Sequence, residues 1–139
     1  MNLFAPLAVS VLLAFITACS ASAAESVSET LISVEENIRK GNWEYKGETE
    51  QGTEFSIIKS VLHGGKQEGV DVVTIDNGRF KMVVVPTRGM SILGVSMGPL
   101  RLGWDSPVRE VVHPSLINLH DREGLGWLDG FNEWLVRCG

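Results

Sequence analysis

The sequence predicts an all-β, antiparallel fold behind an apolar N-terminal signal helix. Three observations carry this expectation. Residues 70–76 and 79–85 are two β-rich runs that meet at Asp76-Asn77-Gly78, and Asn-Gly is a strong signal for a tight hairpin turn. Residues 55–62 are rich in β-branched and aromatic side chains. Pro86 and Gly98-Pro99 then cut the following chain into strand-length pieces, because proline cannot donate to a central ladder.

The elements follow in chain order. Residues 1–24 contain no Asp, Glu, Lys or Arg, and residues 3–18 are apolar apart from Pro6, Ser10 and Thr17. A helix of that length rises about 24 Å, short of the roughly 30 Å hydrocarbon core, so a secretory leader fits better than a membrane span. Met1-Asn2 supplies no basic residue. Ala21-Ser22-Ala23 has the small residues of a signal-peptidase site, whereas Ile16-Thr17-Ala18-Cys19 resembles a bacterial lipobox with Cys19 as the lipidated residue. Both readings stay open, and both place the protein outside the cytoplasm, periplasmic or as a membrane-anchored lipoprotein.

Ser26-Val27-Ser28-Glu29 matches a capping box, and Leu31, Val34 and Ile38 before Gly41 suit a short amphipathic helix. The alternation Leu31-Ile32-Ser33-Val34 equally fits the start of a strand. Residues 46–52 read as a charged loop. In the run 79–85, Phe80, Met82 and Val84 face one way and Lys81, Val83 and Val85 the other, as in a strand whose second face becomes buried. Residues 90–97 and 100–104 read as two more short strands. After Pro107 the alternation ends, and residues 131–136 fit a short helix or a further strand. Three regions result: a leader at 1–23, a polar approach segment at 24–52, and a β-sandwich portion at 53–139.

Composition narrows the function. Twelve Lys+Arg face 17 Asp+Glu, a net charge of −5, which removes the electrostatic attraction that dominates nucleic-acid binding. Beyond Cys19, Cys138 is the only thiol, so neither a disulfide framework nor a zinc site is expected. Gly64-Gly65 and Gly124-Leu125-Gly126 lack the strand-to-helix context of a dinucleotide loop, and no Gly-x-Ser-x-Gly elbow is present. No cofactor and no metal are expected.

Two groups of residues can carry chemistry. Arg88, in Pro86-Thr87-Arg88-Gly89-Met90, follows the strongest strand and offers a planar fork of donors. Trp104, Trp127, Phe131 and Trp134 gather late in the chain with Asp105, Asp129, Asn132 and Glu133. Aromatic faces beside short carboxylates and amides suit a sugar, although the rings equally suit a core. His63, His113 and His120 are available proton donors near neutral pH, yet each fits an ordinary surface role.

Taken in order, Gly69-Val70-Asp71-Val72-Val73, Asp76-Asn77-Gly78, Pro86-Thr87-Arg88-Gly89-Met90, Gly103-Trp104-Asp105-Ser106-Pro107-Val108 and Gly126-Trp127-Leu128-Asp129-Gly130-Phe131-Asn132-Glu133 resemble the N-terminal part of an uncharacterised aldose 1-epimerase-like family of the galactose mutarotase superfamily. The resemblance runs from about residue 55 onward. It implies a large antiparallel β-supersandwich that binds a small-molecule sugar and interconverts its anomers. It implies substrate-binding roles for Arg88, Trp127, Asp129 and Glu133. The family's His acid and Glu base fall beyond Gly139, so the catalytic residues are unassigned and the chain is expected to be a truncated, inactive fragment. Open sheet edges then favour self-association. The alternative is a non-catalytic sugar-binding or structural β-sandwich lipoprotein.

Overall fold

The structure, a computed structural model, describes residues 27–136. The leader with Cys19, and Cys138, lie outside the described residues. A small hairpin, β1 (Ile32–Ser33) and β2 (Ile38–Arg39), precedes a six-stranded sheet. The sheet comprises β3 (Trp43–Glu48), β4 (Glu54–Val61), β5 (Asp71–Asp76), β6 (Lys81–Val85), β7 (Ser91–Met97) and β8 (Leu100–Leu102). Spatial order follows chain order, and every neighbouring pair is antiparallel.

Two early segments depart from the helix and loop expectations. Residues 27–41 do not take up the capping-box helix; the strand alternative prevails from Ile32. The hairpin turn places Asn37 at φ 53, a left-handed conformation Asn tolerates, and Lys40 N–H closes on the Leu31 carbonyl at 3.0 Å. Tertiary polar bonds to the main sheet, described below, outweigh the helical periodicity. The expected charged loop at 46–52 begins later, because β3 continues to Glu48. Trp43 and Tyr45 alternate with Glu44, Lys46 and Glu48, a period-two pattern that pairs residue by residue with β4.

The β5–β6 hairpin forms as expected, with a wider loop than a two-residue turn, since Asp76 pairs with Lys81. Only Gly78 takes a positive φ, of 80. Asn77 acts through its side chain instead: Oδ1 accepts the N–H of Arg79 at 3.1 Å and of Phe80 at 2.7 Å.

Cross-strand pairs share a face, and the register makes the two faces chemically different. One continuous row runs Tyr45, Ile57, Ile75, Met82, Val95, Leu102 across all six strands. On the opposite face the row Lys46, Ser56, Asp76, Lys81, Ser96, Arg101 is entirely polar. The polar face becomes apolar toward the end where β6 leaves the sheet. There Val70, Val72 and Val85 form a core with Val111, and Leu62, Val83 and Leu93 pack against it. A bulge between Val83 and Val84 shifts the register against β7, which lets Leu93 join this core. The apolar face is only half-buried over most of its area, and Leu100 and Leu102 are exposed.

One end of the apolar face is closed by a buried charge network. The Lys59 side chain is fully buried; Nζ reaches Asp71 Oδ1 at 2.6 Å and the carbonyls of Lys40 and Gly41 at 2.5 and 3.2 Å. Arg39 Nε meets Asp71 Oδ2 at 3.2 Å, and Thr87 Oγ1 accepts the Asp71 N–H at 2.8 Å. The hairpin is therefore tied to β4 and β5 through ions whose partners are all satisfied. Asp71→Asn leaves Lys59 buried and uncompensated, which is expected to cost about 3–5 kcal/mol in urea denaturation. Lys59→Met is expected to cost less, because Asp71 keeps Arg39. Burial pushes the Asp71 carboxyl up, but Lys59 and Arg39 outweigh it and hold it below its ordinary value of 3.8. A carboxyl depressed in the folded state stabilises above its unfolded pKa and loses that contribution as pH falls through the folded value. The stability gap between wild type and Asp71→Asn should thus be full near neutrality and shrink below about pH 4; a gap independent of pH would count against the network.

Candidate functional site

The site is built where β6 leaves the sheet. Pro86 opens a 3-10 turn over Pro86–Arg88, and Gly89 closes it with an N–H bond to the Pro86 carbonyl at 3.1 Å. Gly89 and Met90 then both take left-handed conformations, φ 65 and 62, and turn the chain back into β7. For Met90 this costs about 1–2 kcal/mol, a local strain that the sheet on either side sustains. Arg88 is consequently projected from a rigid strand end at a fixed angle.

Arg88 meets Glu133 there. Arg88 Nε lies 2.6 Å from Glu133 Oε1, with the two side chains 11% and 3% exposed. Arg88 Nη1 also donates to the Gly130 carbonyl. Glu133 accepts from Ser91 Oγ at 3.3 Å and from the Asn132 N–H at 3.2 Å. Burial pulls the Arg88 guanidinium down from its ordinary value while Glu133 pushes it back up, and arginine stays charged throughout. Gly130 is required by packing: a Cβ there would stand 2.3 Å from Ile117 Cδ1. Beyond Glu133 the chain joins the sheet: Ile92 N–H donates to the Leu135 carbonyl at 2.8 Å, and Trp134 and Leu135 N–H return to the Ile92 carbonyl. Residues 131–136 thus form neither a helix nor a full strand: they bend at Trp134 and make a single bridge, at Leu135, along the edge of β7 next to β8.

This clamp lays an aromatic cluster beside the sheet. Phe131 contacts Trp104 at 5.3 Å and Trp127 edge-on at 5.1 Å between ring centroids. Ser106 Oγ donates to the Phe131 carbonyl at 2.7 Å and fixes the Trp104 loop. Trp104 and Trp127 remain 38% and 43% exposed, so part of each ring is open to a ligand. Next to Trp104, a cleft of about 200 Å³ is lined by Leu93, Arg101, Asp105, Arg109 and Asn132 among others.

Of the four residues expected to bind substrate, Arg88 and Glu133 come together, and Trp127 lies in the aromatic cluster. Asp129 points elsewhere and pairs with Arg122 at 2.7 Å. That pairing belongs to a strained turn at residues 121–124, where Arg122 and Glu123 take φ 50 and 58. The histidines serve local roles: His63 Nδ1 is 3.0 Å from Glu68 Oε1, and His113 Nδ1 accepts the Ser115 N–H at 3.2 Å. Among the described residues, no group of three or more His, Cys, Asp or Glu side chains is placed to hold a metal. Arg101 and Arg109 escaped the sequence reading. The alternation of β8 could have marked Arg101, since it continues the polar row from Lys81 and Ser96; no sequence signal marks Arg109. A hollow of about 670 Å³ between Glu48, Glu54 and Asp76 lies at the opposite end of the sheet from Arg88.

No curated protein matches this chain. A crystal structure from Klebsiella pneumoniae subsp. pneumoniae, provisionally designated an aldose 1-epimerase, is 50% identical with a TM-score of 0.72. The match covers 78% of this chain but 29% of that one, so the chain spans under a third of its neighbour. The antiparallel β architecture matches the aldose-epimerase fold, and the resemblance to aldose 1-epimerase-like proteins holds. A family model described as a domain of unknown function, DUF4432, matches residues 67–139. That span, more than half of the chain, contains β5 to β8, Arg88, Glu133 and the aromatic cluster, and the chain belongs to this family.

Proposed function

We propose that the chain is a sugar-binding, aldose 1-epimerase-like segment whose complete form interconverts the anomers of an aldose. The observation that carries the reading is the Arg88 turn set beside the Trp104–Phe131–Trp127 cluster, in a chain half identical to the Klebsiella protein. Sugar C–H faces stack on indole rings while hydroxyls take directional hydrogen bonds. In the proposed reaction a carboxylate base takes the proton of the anomeric hydroxyl and a His acid protonates the ring oxygen. The ring opens, the bond to the anomeric carbon rotates, and reclosure yields either anomer. Neither group is assigned in this chain. Arg88, already held by Glu133, would bind a sugar hydroxyl through its remaining exposed surface, with Trp127 stacking on the ring.

The charge-free leader supports export, with cleavage after Ala23 or a lipid anchor at Cys19. The apolar row on the half-buried face supports self-association through that face and its edges.

Titration calorimetry with a panel of hexoses should show saturable binding that Arg88→Ala abolishes. Trp127→Ala, at an exposed ring, should weaken it by up to about tenfold. No saturable binding would leave a purely structural β module, and binding unaffected by both changes would move the sugar away from Arg88 and Trp127. Polarimetry on fresh α-glucose and α-galactose should detect faster mutarotation with a full-length family member and none with this chain; no acceleration by the longer protein would exclude the reaction. In size-exclusion chromatography with light scattering, the chain should run above monomer mass, and Leu100→Lys with Leu102→Lys should shift it toward monomer. A monodisperse wild-type monomer would rule out the self-association.

A further inference from the structure

The cleft beside Trp104 contains more positive charge than the rest of the molecule leads one to expect. The whole chain carries −5, yet this cleft presents Arg101 and Arg109 against a single lining carboxylate, Asp105. Asp105 is taken up by Arg101, Nη1 to Oδ1 at 2.9 Å. The neighbouring Glu110 carboxylate is turned away and accepts the Lys66 N–H at 2.7 Å. Arg109 is exposed and forms no ion pair among the described residues.

Asn132 forms part of the cleft wall, and its Nδ2 donates to the Glu110 carbonyl at 2.9 Å, which holds the wall in place. Asn132 is also the residue next to Glu133, so one peptide segment lines this cleft and holds Arg88. At about 200 Å³ the cleft is below the roughly 300–1,000 Å³ of drug-sized pockets, which suits one small polar group or ring.

We infer that this cleft is an anion subsite, and that the saccharide bound here carries a carboxylate or phosphate. Arg109 takes the charged group, and Trp104 backs the ring. The inference rests on the sugar-binding reading for its ring and hydroxyls, and on Arg109 alone for its charge.

Titration of the full chain with a hexuronate, a hexose 6-phosphate, the neutral hexose and inorganic phosphate tests it. A charged hexose should bind about tenfold or more tightly than the neutral one. Arg109→Gln should erase that advantage and leave the neutral hexose unaffected, while Arg109→Lys should restore part of it. Preference for the uronate or the phosphate ester identifies the charged group. Equal affinity for charged and neutral hexoses, or an advantage that survives in Arg109→Gln, would overturn the inference and leave sugar binding standing. If no hexose binds, the sugar reading falls and inorganic phosphate decides the anion site. An Arg109-dependent shift of the Trp104 indole N–H resonance upholds it, and no shift overturns it.

Discussion

Everything near the candidate site depends on the buried pair between Arg88 and Glu133. The two residues are far apart in sequence, one in the β6–β7 turn and the other in the last described segment. Removing one member of such a pair costs about 3–5 kcal/mol, because the other is left charged in a poorly solvated place. That is a large share of the roughly 5–15 kcal/mol that holds an ordinary domain together. The pair therefore supplies much of what holds residues 126–136 against the sheet, beside the Ile92 backbone bonds and the Ser106–Phe131 and Asn132–Glu110 bonds. The aromatic cluster, the Ile92–Leu135 bridge and the Asn132 cleft all involve the segment it ties down.

The sheet itself divides labour between its faces. A row of six apolar side chains crosses one face and a row of six polar side chains crosses the other. A sheet with one largely apolar face calls for a second layer, and the Klebsiella protein, of which this chain spans 29%, has ample further chain. The polar face and its rim carry Arg101, Trp104 and Asn132, so ligand chemistry and sandwich packing do not compete for the same surface. The strain at Met90 and the buried charges at Lys59 and Asp71 sit at the same end of the sheet as Arg88. That end is the part most firmly tied down, as a preorganised site requires.

Much of this was legible in residue order. β-rich composition and the Pro86 and Gly98-Pro99 breaks located β4 to β8, alternation fixed the two faces of β6, and Asp76-Asn77-Gly78 marked the central turn. Proline and glycine around Arg88 marked the exit from β6. What was hidden depended on distant partners. The capping-box pattern at 26–29 spoke for a helix, but Asp71 and Lys59 hold the Arg39–Gly41 segment by contacts that no local window contains. Lys46 and Glu48 read as part of a charged loop until their pairing with Ser56 and Glu54 made them the end of a strand. Asp129 and Glu133 looked equivalent in sequence. Only the fold separates them, giving Glu133 to Arg88 and Asp129 to Arg122. Arg109 gained meaning only when its neighbours' carboxylates were seen to be occupied.

Amide hydrogen exchange on wild type and Glu133→Gln measures the clamp directly. Loss of the carboxylate should strip protection from Ile92, Trp134 and Leu135 while the amides shared between β4, β5 and β6 stay protected. Protection at Trp134 and Leu135 that is the same in both proteins would show that the segment is held by something other than Arg88 and Glu133.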